Sequence, residues 1–248
     1  MGRVYIFDVD GTLTPSRRPM TEDFLEFFNG WSKSNSFYLV TGSDLNKIKE
    51  QVPDFILERA EAVFTCCGNE MWMAGEQIYR NEFKPPNNLL TYLGDQVRMS
   101  ETPIMSSNHI EDRGSMLNFS IVGRDCTLEE RQKYFEWDSQ VGEREKIANE
   151  VKRGWPELDA VIGGQISIDI APKGNDKSQV IEKIMNRNIV TSRDNYIFIG
   201  DRTMEGGNDY PLAKVMGKMD NCEVFQAGEP SAENGYMETK KILEKLID

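Results

Sequence analysis

The chain has 248 residues, a formal net charge of −12 and 39% hydrophobic residues. That length suits a core domain with a smaller unit inserted into it better than one domain or two full ones. The acidic balance, with no basic stripe, argues against a nucleic-acid binder, and no apolar run approaches the roughly 20 residues of a membrane span.

Val4 to Phe7 form an apolar run that predicts a short strand buried on both faces. Thr21 is placed to cap a helix whose Phe24, Phe27, Phe28 and Trp31 recur at helical spacing, a stripe that belongs in a core. "FYLVTGSD" (37–44) predicts a second buried strand ending in polar turn residues, and Leu45, Ile48 and Val52 mark the helix after it. "AVFTCC" (62–67) reads as a third strand, and "EMWMAGEQIYR" (70–80) as a hairpin turning at Ala74-Gly75. Alternation of buried strands with helices predicts a parallel α/β sheet.

At residue 84 the pattern changes. "FKPPNN" reads as a linker. "SMLNFSIVG" (115–123) and "QISIDIAP" (165–172) then alternate strictly, which predicts antiparallel strands with one face buried and one exposed. Between them "TLEE" forms a capping box with Thr127 as N-cap and Glu130 three residues on. Buried-strand character returns at "NYIFIGD" (195–201), and a C-terminal helix closes the chain. The domains are therefore expected at 1–83 with 175–248 for the core, and at 84–174 for an inserted α+β unit.

Two residue counts narrow the chemistry. The one histidine, His109, reads as a solvated turn residue, which excludes a His-rich zinc centre and leaves acid–base work to carboxylates. Of the four cysteines, Cys66, Cys67, Cys126 and Cys222, none forms a C-x-x-C pair, and adjacent Cys66 and Cys67 read as small buried strand residues. Met1 leads almost at once into an apolar strand with no basic n-region, so a cytoplasmic protein is expected.

Asp8 and Asp10 stand at the tip of the first strand, two apart and on one side of it, with Gly11 allowing an immediate turn. In parallel α/β sheets such strand ends line the ligand crevice. Two carboxylates there repel unless a cation bridges them, which points to Mg²⁺. Thr41 and Ser43 sit at a second strand end, before a helix whose first N–H groups suit a phosphate. Asp201 ends another strand, Asn208 and Asp209 follow it, and Lys177 lies where the chain re-enters the core.

In this order the motifs resemble the haloacid dehalogenase superfamily: "DVDGT", a Thr/Ser motif, a lysine, then "GD" with a downstream "ND". The resemblance implies a Rossmann-like core in which Asp8 is the nucleophile and becomes an aspartyl-phosphate. It makes Asp10 the general acid and base. It also implies Mg²⁺ held by Asp8, the Asp10 carbonyl and Asp201, with Asn208 or Asp209 contributing directly or through water.

The insert goes further. "EDRGSMLNFSIVGR" (111–124), "CTLEERQKYFEWD" (126–138) and "IGGQISIDIAPKGNDK" (162–177) resemble the cap of eukaryotic-type phosphomannomutases, as do "DGTLTPSR" and "GDRTMEGGND" in the core. Matching positions imply sugar-phosphate contacts at Arg17, Arg113, Arg124, Arg131, Ser167 and Asp169, a hexose 1,6-bisphosphate activator and a homodimer through the cap. The residues themselves support part of this. Gln165, Ser167 and Asp169 share one face of a predicted strand whose isoleucines share the other. Arg131 follows the capping box, where a cation opposes the helix dipole unless an anion is bound. The chain departs from the family pattern in "TGSD", where either Thr41 or Ser43 can be the phosphate-binding hydroxyl. Further departures are Gly68-Asn69, "GNDK" and a shorter segment after Asp209. The expected activity is a phosphohexomutase, with a sugar-phosphate phosphatase on the same scaffold as the competing reading. A silent sugar-phosphate binder is disfavoured by intact Asp8, Asp10, Lys177 and Asp201.

Overall fold

The computed structural model describes residues 2–187, 195–229 and 234–247. It divides into two compact units, Met1–Arg80 with Asp176–Asp248 and Asn81–Asn175.

In the first unit, β1 (Arg3–Phe7), α1 (Glu22–Trp31), β2 (Ser36–Val40), α2 (Leu45–Gln51), α3 (Asp54–Leu57) and β3 (Ala62–Thr65) alternate along the chain. The hairpin β4 (Glu70–Met73) and β5 (Glu76–Arg80) follows, turning through Ala74 and Gly75, both at positive φ. The second unit holds α4 (Asn87–Met99), β6 (Ile110–Asp112), β7 (Leu117–Phe119), α5 (Leu128–Val141), α6 (Glu143–Gly154), β8 (Leu158–Gly163) and β9 (Ser167–Pro172). The first unit resumes with α7 (Gln179–Arg187), β10 (Asn195–Gly200), α8 (Tyr210–Met216), β11 (Cys222–Gln226) and α9 (Gly235–Ile247).

Among the described residues the larger sheet has seven strands in the order β11-β10-β1-β2-β3-β4-β5, parallel except where β4 and β5 run antiparallel. Its central strands are apolar on both faces because both are covered. Tyr5, Phe7, Phe37, Leu39, Ile197 and Ile199 pack with Phe24, Phe28 and Trp31 of α1 and with Ile242 and Leu243 of α9. The alternate residues Val4, Ile6, Tyr38, Val40 and Phe198 pack with Val180 and Ile184 of α7 and Leu212 of α8. Burying each such side chain contributes about 1.5–3 kcal/mol. This three-layer sandwich fixes the strand tips that carry the polar residues.

The smaller sheet, order β6-β7-β9-β8, is antiparallel. Leu117, Phe119, Ile168 and Ile170 bury one face against Leu89 and Leu93 of α4, Tyr134 of α5 and Val151 of α6.

Several local expectations are corrected. Thr21 occupies the N-cap position of α1 but makes no side-chain cap bond. Cys66 and Cys67 are buried yet not in a strand: both have positive φ, and their N–H groups donate to the Ser43 and Thr41 carbonyls. "FKPPNN" is not only linker, since Pro86 is the N-cap of α4. The exposed face expected for 115–123 is absent, because Ser115, Asn118 and Ser120 are buried like their apolar neighbours. Gln165 lies in the turn before β9, and its amide donates to Gln132 of α5. His109 is half-buried, with Nδ1 3.0 Å from the Ser120 carbonyl oxygen. The Thr127–Glu130 capping box is present, and Gly142 in the left-handed conformation ends that helix and starts α6.

Gly235 opens α9 against the loop after β1. A Cβ there would overlap the Gly11 carbonyl oxygen and press on the Ala227 carbonyl. Gly235→Ala is therefore expected to cost about 1–3 kcal/mol, as overpacking of a close backbone contact does. Urea unfolding should show the lower midpoint; an unchanged midpoint would contradict this packing.

Candidate active site

Parallel pairing of β1 with β2 and β10 brings three strand tips to one sheet edge. Asp8 follows Phe7 and donates its N–H to the Ile199 carbonyl at 2.9 Å. Asp201 follows Gly200 at the end of β10, and Asp209 immediately precedes α8. One carboxylate oxygen from each of Asp8, Asp201 and Asp209 lies within 4.8 Å of the others, and all three residues are buried. Gly11 makes this possible: its φ is +87°, and a Cβ there would meet Asp201 Oδ2 at 2.7 Å.

Lys177 is fully buried. Its Nζ donates to Asp8 Oδ1 at 2.5 Å and to Asp209 Oδ1 at 2.6 Å. Thr12 Oγ1 donates to Asp8 Oδ2 at 3.2 Å, so both oxygens of Asp8 are engaged. Arg202 N donates to Asp209 Oδ2 at 3.0 Å.

Burial and then the charge of Asp209 push the Asp8 carboxyl up to about 7, and Lys177 offsets only part of that rise. For Lys177, burial acts downward, but the charges of Asp209 and Asp8 outweigh it and hold the ammonium above its ordinary value. Lys177 thus pairs with two of the three clustered carboxylates. An all-oxygen, anionic, buried donor set of this kind fits a hard divalent cation such as Mg²⁺. Asn208 Oδ1 is also buried and has no hydrogen-bond partner among the described residues, so it too fits the role of an oxygen donor.

The Asp10 carboxylate is not in this cluster. Its Oδ1 accepts from Arg17 N at 2.5 Å and from Gln51 Nε2 at 3.0 Å. The metal contact expected of Asp10 is its main-chain carbonyl, not this carboxylate. Arg17 is half-buried and adopts a left-handed conformation, φ 56°, which turns its N–H toward Asp10.

Thr41 is buried, and its Oγ1 accepts from Ser43 N at 3.1 Å. Asp44 caps α2, its carboxylate accepting from Lys47 N at 2.9 Å, so one N–H of the first turn is already taken.

In the second unit, cross-strand register assembles four of the predicted sugar-phosphate residues. Glu111 pairs with Asn118, and Asn118 with Asp169, so β6, β7 and β9 present one polar row. Glu111 Oε2 bridges Arg113 Nη2 at 2.7 Å and Arg124 Nε at 2.8 Å. Arg124 Nη1 donates to Asn118 Oδ1 and reaches Ser167 Oγ at 3.4 Å. Asn118 Nδ2 donates to Asp169 Oδ1 at 2.6 Å. Gly163 leaves room for this, because a Cβ would meet Asp169 Oδ2 at 2.5 Å. Arg131 is buried on α5.

Sequence reasoning missed Gln51, Glu111 and Asn118. Asn118 carried a signal, since it stands on the polar row of the alternating stretch, between Leu117 and Phe119. Glu111 and Gln51 look like ordinary charged and polar surface positions in the sequence.

The eukaryotic phosphomannomutase family model matches residues 24–220. A phosphomannomutase of Encephalitozoon cuniculi is 39% identical over 224 residues, covering 84% of this chain and 83% of that protein. One from Arabidopsis thaliana is 32% identical over 219 residues, covering 85% and 87%. Among solved structures, the C-terminal domain of the C. albicans trehalose-6-phosphate phosphatase aligns with a TM-score of 0.62 at 14% identity, covering 98% of this chain and 92% of that one. A haloacid dehalogenase-like hydrolase from Bacteroides thetaiotaomicron gives 0.57 at 16% identity, covering 98% and 100%. At such identities these structures establish the shared fold.

Replacing Lys177 by Met leaves Asp8 and Asp209 buried without their cation. Removing one partner of a buried pair costs about 3–5 kcal/mol. Urea unfolding of Lys177→Met should show a loss of that size; wild-type stability would contradict the assigned ion pairs.

Proposed function

The chain belongs to the eukaryotic phosphomannomutase family and is an enzyme, and from that premise we propose that it is a Mg²⁺-dependent phosphohexomutase interconverting mannose 1-phosphate and mannose 6-phosphate. The observation that carries the reading is Asp8 itself, a buried carboxylate at a strand tip with Lys177 on one oxygen and Thr12 on the other. Such a group is oriented for attack and needs no general base when ionised.

Asp8 attacks the phosphorus of a hexose 1,6-bisphosphate, forming an O–P bond as the bond from phosphorus to the sugar oxygen breaks. Asp10 gives its proton to that departing oxygen. In the return half, Asp10 removes the proton from the 6-hydroxyl of mannose 1-phosphate as that oxygen attacks phosphorus and the Asp8 bond breaks. Lys177 balances charge near the moving phosphoryl group. Asp8, Asp201 and Asp209, with Asn208 nearby, would hold Mg²⁺, which would supply further neutralisation of phosphoryl charge. Arg17, Arg113, Arg124, Arg131, Ser167 and Asp169 serve the sugar phosphate, with guanidinium groups suited to bidentate phosphate contact.

Incubation with Mg²⁺, mannose 1-phosphate and catalytic hexose bisphosphate, followed by phosphorus NMR, separates the readings. Mannose 6-phosphate without free phosphate is expected. Dominant release of inorganic phosphate would replace the mutase by a sugar-phosphate phosphatase, and no turnover would leave a binding protein. Asp8→Asn is expected to lower turnover by at least about 10³-fold, roughly 4 kcal/mol of barrier; near wild-type turnover would remove Asp8 from the role.

A further inference from the structure

We infer that Gln51 is a positioning residue for the general acid and base, fixing the Asp10 carboxyl so that its proton resides on Oδ2. The inference rests on the role proposed for Asp10. Gln51 is the last residue of α2 and only 4% exposed. Its Nε2 lies 3.0 Å from Asp10 Oδ1 and 3.2 Å from Thr14 Oγ1. A primary amide has two N–H donors, one for each of these partners. The reverse orientation would set the amide oxygen against a carboxylate oxygen, so the contacts themselves choose the amide's direction.

Gln51 is also tied to the catalytic loop from its main chain. Its carbonyl accepts from Met20 N at 2.9 Å. Thr14 reaches back to the Val9 carbonyl with Oγ1 at 3.3 Å, and Gly11 N donates to the Thr14 carbonyl at 3.0 Å. The loop carrying Asp10 is therefore clipped at both ends to the C-terminal residue of α2.

The consequence for chemistry lies in Asp10 Oδ1. It accepts from Arg17 N and from Gln51 Nε2. A carboxyl oxygen has two lone pairs, and both are taken. A proton carried by Asp10 then has its place on Oδ2, the atom that meets the sugar oxygen. Without Gln51 the carboxyl can rotate and share its proton between two oxygens.

The test compares two phosphoryl donors. Transfer from a hexose bisphosphate requires a proton on the departing alkoxide. Transfer from acetyl phosphate to Asp8 releases acetate, a stable anion that needs none. A general acid is worth about 10²–10⁴-fold, and loss of its positioning should forfeit about 10–100-fold of that with the sugar donor. Gln51→Leu is therefore expected to lower the ratio of hexose-bisphosphate to acetyl-phosphate rates of phosphoenzyme formation by at least about tenfold. Gln51→Glu keeps the shape, removes both donors and should lower the ratio at least as much; it carries the test should the Leu variant fail to fold. A merely structural role would depress both donors together and leave the ratio unchanged, overturning the inference. Asp10→Asn is the reference. If it lowers the ratio and both Gln51 variants do not, Gln51 is not the positioning residue while Asp10 keeps its role. If Asp10→Asn leaves the ratio unchanged, the role of Asp10 itself falls, and this inference with it.

Discussion

Lys177 is a fully buried ammonium shared by Asp8 and Asp209, and the active-site edge of the first unit is organised around it. Taking one such ion out of water costs several kcal/mol, which is repaid only by close partners in good geometry. Both partners are supplied by the fold: Asp8 by the tip of β1 and Asp209 by the residue before α8. The sandwich of aromatic and aliphatic side chains around β1, β2 and β10 holds those tips in place. Fold and site are thus one argument, because the apolar half of "VYIFDVDGT" is the anchor for its acidic half.

The lysine does not balance the site alone. Asp201 brings a third buried carboxylate within reach of the other two, and burial with the charge of Asp209 drives the Asp8 carboxyl upward. A phosphoryl group would add more negative charge to this cluster. The second unit meets the same problem differently. Arg113 and Arg124 are brought together on one polar row and share Glu111, so two cations are held close by one carboxylate that is itself partly exposed. Asp169 adds a second carboxylate to that row, joined to Arg124 through Asn118.

Much of this was legible in the sequence, and the failures have physical reasons. Asp8, Asp10 and Asp201 were readable because each follows a run of buried strand residues, and strand ends in parallel sheets face the crevice. Lys177 was readable through its order among the motifs, not through its local sequence. Cys66 and Cys67 were misread because a run of small apolar residues looks like strand. What bends the chain there is a pair of long-range hydrogen bonds to the Thr41 and Ser43 carbonyls. Helix α4 was hidden behind "FKPPNN", since Pro86 can end a linker or start a helix, and here it starts one. The alternation in 115–123 was real, but its polar face is buried by cross-strand contacts among Asn118, Arg124 and Asp169 that no local pattern reveals. Gln51 was silent for the same reason: its partners lie 37 and 41 residues away in the chain.

The central claim is that Asp8 carries the phosphoryl group between sugar oxygens. Rapid quenching after mixing with hexose bisphosphate and Mg²⁺, followed by borohydride reduction and peptide mass spectrometry, reads it directly, since an aspartyl-phosphate is reduced to homoserine. The account predicts homoserine at position 8 and at no other aspartate. Steady turnover with an unmodified residue at position 8, or reduction at Asp10, Asp201 or Asp209 instead, would contradict it.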